Sequence, residues 1–166
     1  RRELHLQPEL MWTEHETSAV VKRELTAMGV SFEEISAPGV VATIGSGSAP
    51  VVALRADMDA LPVTEESDIP AERRSQVPGK MHACGHDGHT AALVGAAACI
   101  ARRASKLPAG SRVRLLFQPA EEGPGGGGWA GAAAGWAAPR TRPCSRSRRA
   151  CPRPSRAACR PARAGR

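Results

Sequence analysis

The stretch His82-Ala83-Cys84-Gly85-His86-Asp87-Gly88-His89-Thr90 decides how this chain is read. Within nine residues it holds three imidazoles, one thiol and one carboxylate. Such groups are costly to bury unless something binds them. Nitrogen, sulfur and oxygen donors side by side suit a borderline-soft divalent metal. The stretch also opens an Ala-rich segment from about Gly88 to Ser105, with Leu93, Val94 and Ile100 on what reads as a buried helix face. Short apolar runs stand on either side, Val51 to Ala56 before it and Arg112 to Phe117 after it. A strand, a long loop, a helix and a strand in this order predict a parallel crossover unit, and so an α/β fold.

In open sheets of this kind, ligands gather beyond the carboxyl ends of the strands. Asp57 and Asp59 follow the first strand directly, and Glu121 and Glu122 follow the second. The His/Cys stretch leads into the intervening helix, so all three polar clusters are expected to converge on one edge of the sheet. Cys84 and His86 are two residues apart and would face the same way in an extended loop, where a metal takes the thiolate of one and a ring nitrogen of the other. Glu121 and Glu122 are adjacent and cannot face the same way. One is expected to ligate while the other acts as general base on water. Asp57 and Asp59 either orient ligand histidines through their ring N–H groups or cap the following loop. His82 and His89 are open between a supporting donor, a substrate contact and a solvated side chain. Arg55, Arg73, Arg74 and Arg114 offer guanidinium groups for a substrate carboxylate, but each reads more simply as a surface charge. Trp12 and Phe117 read as packing residues.

Upstream, Thr13-Glu14-His15-Glu16 has the pattern of a capping box with Thr13 as N-cap. Val20, Val21, Leu25 and Met28 continue it as a helix that Gly29 can stop. A strand is expected near Ser31 to Ile35. Gly39 to Ile44 and Val51 to Ala56 read as two strands of a hairpin closed by Gly45-Ser46-Gly47-Ser48. Residues 59–79 read as a polar loop.

Charge is divided sharply along the 166 residues. All 16 acids lie at or before Glu122, and with 13 Lys and Arg up to Gly128 that part has a net charge of −3. Residues 129–166 hold 10 Arg and no acid, so the overall +7 belongs to the tail. The tail lacks Leu, Ile, Val, Met and Phe, and it is expected to form no core and to be disordered or out of frame. Cys144, Cys151 and Cys159 in it lack metal-ligand spacing. A basic arm for nucleic acid is disfavoured because the tail has no Lys and no folded basic module. No apolar run is long enough to span a membrane, and no signal peptide is evident. Arg1 in place of Met points to an absent beginning.

Four stretches carry a resemblance: Arg2 to Leu10, Leu54 to Pro62, Gly79 to Thr90 and Leu115 to Gly123. In content and order they resemble the M20 metallopeptidase family. The likeness is greatest to its amidohydrolase branch of plant auxin (indole-3-acetic acid) conjugate hydrolases, N-acyl amino acid hydrolases and hippurate hydrolases. It covers Arg1 to about Gly123.

The resemblance implies part of a zinc-peptidase-like catalytic domain, with a mixed, largely parallel sheet and flanking helices over residues 1–123, and a low-complexity tail over 124–166. It implies a two-metal site, Mn or Zn, hydrolysing the amide of N-acyl or indole-3-acetyl amino acids by metal-activated water. Cys84, His86 and Glu122 match metal ligands with Cys84 as the bridge. Glu121 matches the general base and Asp59 the supporting aspartate, while Asp57 stands where related branches carry a metal-binding histidine. The expected partner is a small N-acyl amino acid, with no nucleic acid and no membrane, and with a homodimer for the full-length form. The compartment expected for a plant auxin-conjugate hydrolase is the endoplasmic reticulum lumen, otherwise the cytoplasm.

The family's other ligand histidines lie downstream of the glutamate pair, yet this chain has no histidine after His89. Three ligands cannot satisfy two ions. The expectation is therefore a truncated product, weakly active or inactive, with a non-catalytic metal-binding remnant or pseudoenzyme as the alternative. A sheet lacking strands would leave an exposed edge.

Overall fold

The computed structural model describes residues 1–133. Four helices, α1 (Arg2–Leu6), α2 (His15–Ala27), α3 (His86–Ala101) and α4 (Gly126–Ala133), accompany four strands, β1 (Ser31–Glu34), β2 (Val40–Ile44), β3 (Val51–Asp57) and β4 (Arg112–Gln118). The strands form one mixed sheet in the order β1-β2-β4-β3. β3 and β4 run parallel from Val51↔Arg112 to Asp57↔Gln118, joined through α3 as the crossover reading predicts.

The hairpin expectation is overturned. β2 and β3 do not pair, because β4 lies between them, antiparallel to β2 from Val40↔Phe117 to Ile44↔Val113. Burial explains the order. β4 hides apolar groups on both faces, with Val113, Leu115 and Phe117 on one and Leu116 on the other, so it takes an interior position. β3 begins with Val51 and Val52 exposed and occupies the edge. Gly45 to Pro50 then serve as a connection, with the Ala49 N–H bonded to Gly110 O at 3.1 Å.

The main core lies on one face of the sheet. Val21 and Leu25 of α2 and Leu93 and Ala97 of α3 pack there against Val40, Ala42, Val113, Leu115 and Phe117. Phe117 is a packing residue as expected, whereas Trp12 is 38% exposed.

The capping box of α2 does not form. Thr13 Oγ1 donates to Leu10 O at 2.7 Å, and Glu9 supplies the acceptor instead, taking the N–H groups of Glu16 (3.1 Å) and Thr17 (2.8 Å). A carboxylate at a helix N-terminus satisfies orphan N–H groups and meets the positive end of the helix dipole. Glu14, the N-cap residue, turns inward to the loop after β4.

The expected end of the folded part at residue 123 is also corrected. α4 continues it, and Trp129 sits 6% exposed on the second face of the sheet against Val41 and Leu116. One indole replaced the aliphatic residues whose lack argued against a core. The rest of the expected tail, residues 134–166, lies outside the described residues. No helix among the described residues is long and apolar enough to cross a membrane.

Candidate metal centre

The predicted convergence at the carboxyl ends of β3 and β4 is realised. β3 ends at Asp57, and two residues later Asp59 is fully buried. The chain returns through Gly85, whose left-handed conformation (φ 82) starts α3 and brings His86 into the helix's first turn. An L-residue is disfavoured there, so glycine suits the position. Cys84 and His86 thus meet through a tight turn and not through an extended loop.

His86 is buried and its Nδ1 side faces Asp59. Nδ1 is 2.8 Å from the Asp59 main-chain oxygen and 3.2 Å from Oδ1. A carbonyl oxygen only accepts, so Nδ1 carries the proton and Nε2 presents its lone pair. Around Nε2 stand Asp57 Oδ1 at 3.7 Å, Glu121 Oε2 at 3.8 Å and Glu122 Oε1 at 3.8 Å. Those separations are too long for hydrogen bonds.

Asp59 ties the two halves together. Its Oδ2 accepts the Glu122 N–H at 2.9 Å while Oδ1 faces His86. Burial alone would raise the Asp59 carboxyl, but the His86 ring and the N–H groups of Glu122 and Glu121 outweigh it and hold the group below the usual carboxylate range. Burial likewise opposes charge on His86, yet Asp59 and Asp57 raise its pKa above the ordinary value.

The glutamates lie just past Ala120, a non-glycine residue at φ 53. Glu14 Oε1 accepts the Ala120 N–H at 2.7 Å. Burial pushes the Glu14 carboxyl up to about 6.

Cys84 Sγ, a ring nitrogen of His86 and a carboxylate oxygen of Glu122 lie within 4.8 Å of one another. Hydrogen bonding to Glu122 raises the exposed Cys84 thiol. A bound cation reverses that, since a coordinating thiol is deprotonated. One thiol, one imidazole lone pair and one carboxylate make a donor set that fits a divalent transition-metal ion.

Asp57 is directed mainly to His89, with Oδ1 and His89 Nδ1 2.7 Å apart. His82 is buried, neither ring nitrogen has a partner among the described residues, and burial lowers its pKa. It belongs to neither ligand grouping among the described residues.

Four participants, Arg55, Glu14, His5 and Arg1, escaped sequence reasoning. Arg55 reads as one surface charge among several, yet it bonds Gln118 Oε1 through Nε (2.7 Å) and reaches Asp57 Oδ2 (3.1 Å) and Glu121 Oε1 (3.9 Å). Its place two residues before Asp57 on a strand, hence on the same face, was the available signal. Glu14 was hidden inside the capping pattern. Behind the site, His5 of α1 bonds Asp87 at 2.7 Å, and Arg1 joins the same carboxylate at 2.8 Å. Nothing local in the sequence joins residues so far apart.

The sequence model described as Peptidase family M20/M25/M40 matches residues 53–146. An Arabidopsis thaliana protein, IAA-amino acid hydrolase ILR1-like 5, is 51% identical over 127 residues, which is 76% of this chain and 28% of that protein. N-acetyl-L-cysteine deacetylase of Bacillus subtilis is 45% identical over 128 residues, 76% of this chain and 30% of that protein. Among solved structures, the Bacillus subtilis YXEP protein, a dinuclear metal binding peptidase from the M20 family, superposes with a TM-score of 0.71 at 41% identity, covering 80% of this chain and 36% of that one. The chain therefore spans between 28% and 36% of the length of these relatives.

Proposed function

The chain belongs to peptidase family M20/M25/M40, and from that premise we propose that it carries part of the site of a metal-dependent amidohydrolase acting on N-acyl amino acids. The carrying observation is the approach of Cys84, His86 and Glu122 within 4.8 Å, with Glu121 Oε2 3.8 Å from His86 Nε2. The substrate class follows from relatives named for an indole-3-acetyl amino acid and for N-acetyl-L-cysteine.

In this reading Cys84, His86 through Nε2, and Glu122 hold a divalent ion, manganese or zinc. When bound, such an ion lowers the pKa of water and polarises a carbonyl. Glu121, with an exposed carboxylate, takes the proton from the attacking water and returns it to the departing amine, so an N-acyl amino acid yields a carboxylic acid and a free amino acid. Arg55, 3.9 Å from Glu121, holds that carboxylate toward the site. Asp59 keeps the His86 ring turned so that Nε2 faces the ion.

A second reading is metal binding without turnover. It is favoured by the size of the ligand grouping, which among the described residues brings together three donors, Cys84, His86 and Glu122. Weak hydrolysis lies between the two readings.

The test is amino acid release from indole-3-acetyl-alanine and N-acetyl-cysteine by the purified chain loaded with Mn²⁺ or Zn²⁺. Hydrolysis abolished by Glu121→Gln with metal content unchanged supports the hydrolase. A metal-loaded chain that releases nothing favours the second reading, and turnover unaffected by Glu121→Gln removes the base assignment.

A further inference from the structure

We propose that Asp57, His86 and His89 form an alternative position for a divalent transition-metal ion, so that one ion sits either there or with Cys84 and Glu122. The reading goes beyond the hydrolase site, since it concerns where an ion binds and not what it catalyses.

One ligand atom from each of the three residues lies within 4.8 Å of the others. His86 and His89 are one helical turn apart on α3, where residues three apart share a face. Their ring centroids are 5.6 Å apart and tilted by 32°. The Asp57 carboxylate is held in place: Arg55 takes Oδ2 at 3.1 Å, which leaves Oδ1 2.7 Å from His89 Nδ1 and 3.7 Å from His86 Nε2. Thr90 Oγ1 donates to the Asp57 main-chain oxygen at 2.8 Å and fixes the strand end under it.

Exclusion follows from His86. Its Nδ1 is committed to Asp59, so only Nε2 can ligate, and one nitrogen lone pair serves one ion. Donor chemistry separates the two positions. The thiolate of Cys84 favours softer ions such as zinc, while two imidazoles and one carboxylate suit nickel, cobalt or ferrous iron with open coordination positions left over.

The whole chain with the double substitution C84S/E122Q tests this by equilibrium dialysis against Ni²⁺ and Co²⁺, with cobalt absorption as a second readout. The expected result is one ion per chain, with cobalt ligand-field bands and no thiolate charge-transfer band. Adding D57N or H89A should weaken that binding by on the order of tenfold or more. A double variant that matches the wild type in circular dichroism yet binds no ion overturns the proposal, as does binding indifferent to D57N and H89A. If C84S/E122Q does not fold, the wild-type background decides. H89A should then weaken Ni²⁺ binding while leaving Zn²⁺ binding as it was, and equal effects on both ions, or none, overturn the proposal. Loss of wild-type Zn²⁺ binding in C84S reports separately on the site under Proposed function, so the two readings fail independently.

Discussion

Glu14 Oε1 accepts the backbone N–H of Ala120 at 2.7 Å across 106 residues of sequence, and both residues are completely buried. The contact links the start of α2 to the turn that presents Glu121 and Glu122. Ala120 sits at φ 53, a conformation costing a non-glycine residue roughly 1–2 kcal/mol, and the hydrogen bond helps to hold it there. The other oxygen, Oε2, has no partner among the described residues, which suits a protonated carboxyl better than a carboxylate.

A pH dependence follows. Burial raises the Glu14 carboxyl from 4.5 to about 6 on folding. Below pH 4.5 both states are protonated and nothing is lost. Between the two values the unfolded chain gives up its proton first, so stability falls as pH rises. Above about 6 the folded state carries the buried charge, at a cost of about 2 kcal/mol. Asp59 acts with opposite sign at lower pH, because its lowered folded value makes stability fall as pH drops through it. Glu14→Gln keeps an acceptor for Ala120 and removes the charge. Urea denaturation with a chelator present should show the wild type losing about 2 kcal/mol relative to the variant as pH rises across this window. Identical slopes would mean that Glu14 does not titrate there.

Asp59→Asn tests how the ion site is positioned. The carboxylate faces His86 with Oδ1 and accepts the Glu122 N–H with Oδ2. Asparagine keeps one acceptor and turns a donor toward one of two donors. Such supporting groups typically change metal affinity by roughly 10–100-fold. Competition with a chromophoric chelator should show a loss of that size with little change in circular dichroism. Unchanged affinity would mean that His86 is oriented by the main-chain oxygen alone.

The parts legible in the sequence were those whose signal is local. The strand–loop–helix–strand order placed β3, α3 and β4 correctly, because parallel strands require a long crossover and the apolar runs marked its ends. Residue type singled out Cys84, His86 and the Glu121–Glu122 pair, and the structure brings Cys84, His86 and Glu122 within 4.8 Å of one another; residue type alone left open which glutamate faces the other two. Pairing order was less legible. Gly45-Ser46-Gly47-Ser48 is good hairpin chemistry, and only the burial of β4 on both faces displaces the partner it would have joined. Glu14 and Trp129 were misjudged because their partners, Ala120 and Ile35, are 106 and 94 residues distant.

Gly85→Ala isolates backbone strain from steric clash. The residue has φ 82, and a Cβ there would meet nothing within 4 Å. The expected loss is therefore the conformational cost alone, roughly 1–2 kcal/mol, read by thermal or urea denaturation of the metal-free chain. A much larger loss would show that the turn before His86 must also rearrange.

Trp129 and Gly39 should prove energetically coupled. The indole Nε1 donates to Ile35 O at 2.6 Å, and the ring lies so close to Gly39 that a Cβ on that residue would overlap it. Trp129→Ala removes the largest side chain on the sheet's second face and should cost about 3–5 kcal/mol. Gly39→Ala should cost less by itself, since the ring can shift, though only by weakening the Ile35 hydrogen bond. In the double variant the ring that the new methyl group would strike is gone, so the second substitution should add little. A double-mutant cycle by urea denaturation reads the coupling directly. Strict additivity would mean that Trp129 does not rest on Gly39, and that α4 does not complete this face of the sheet in the way described.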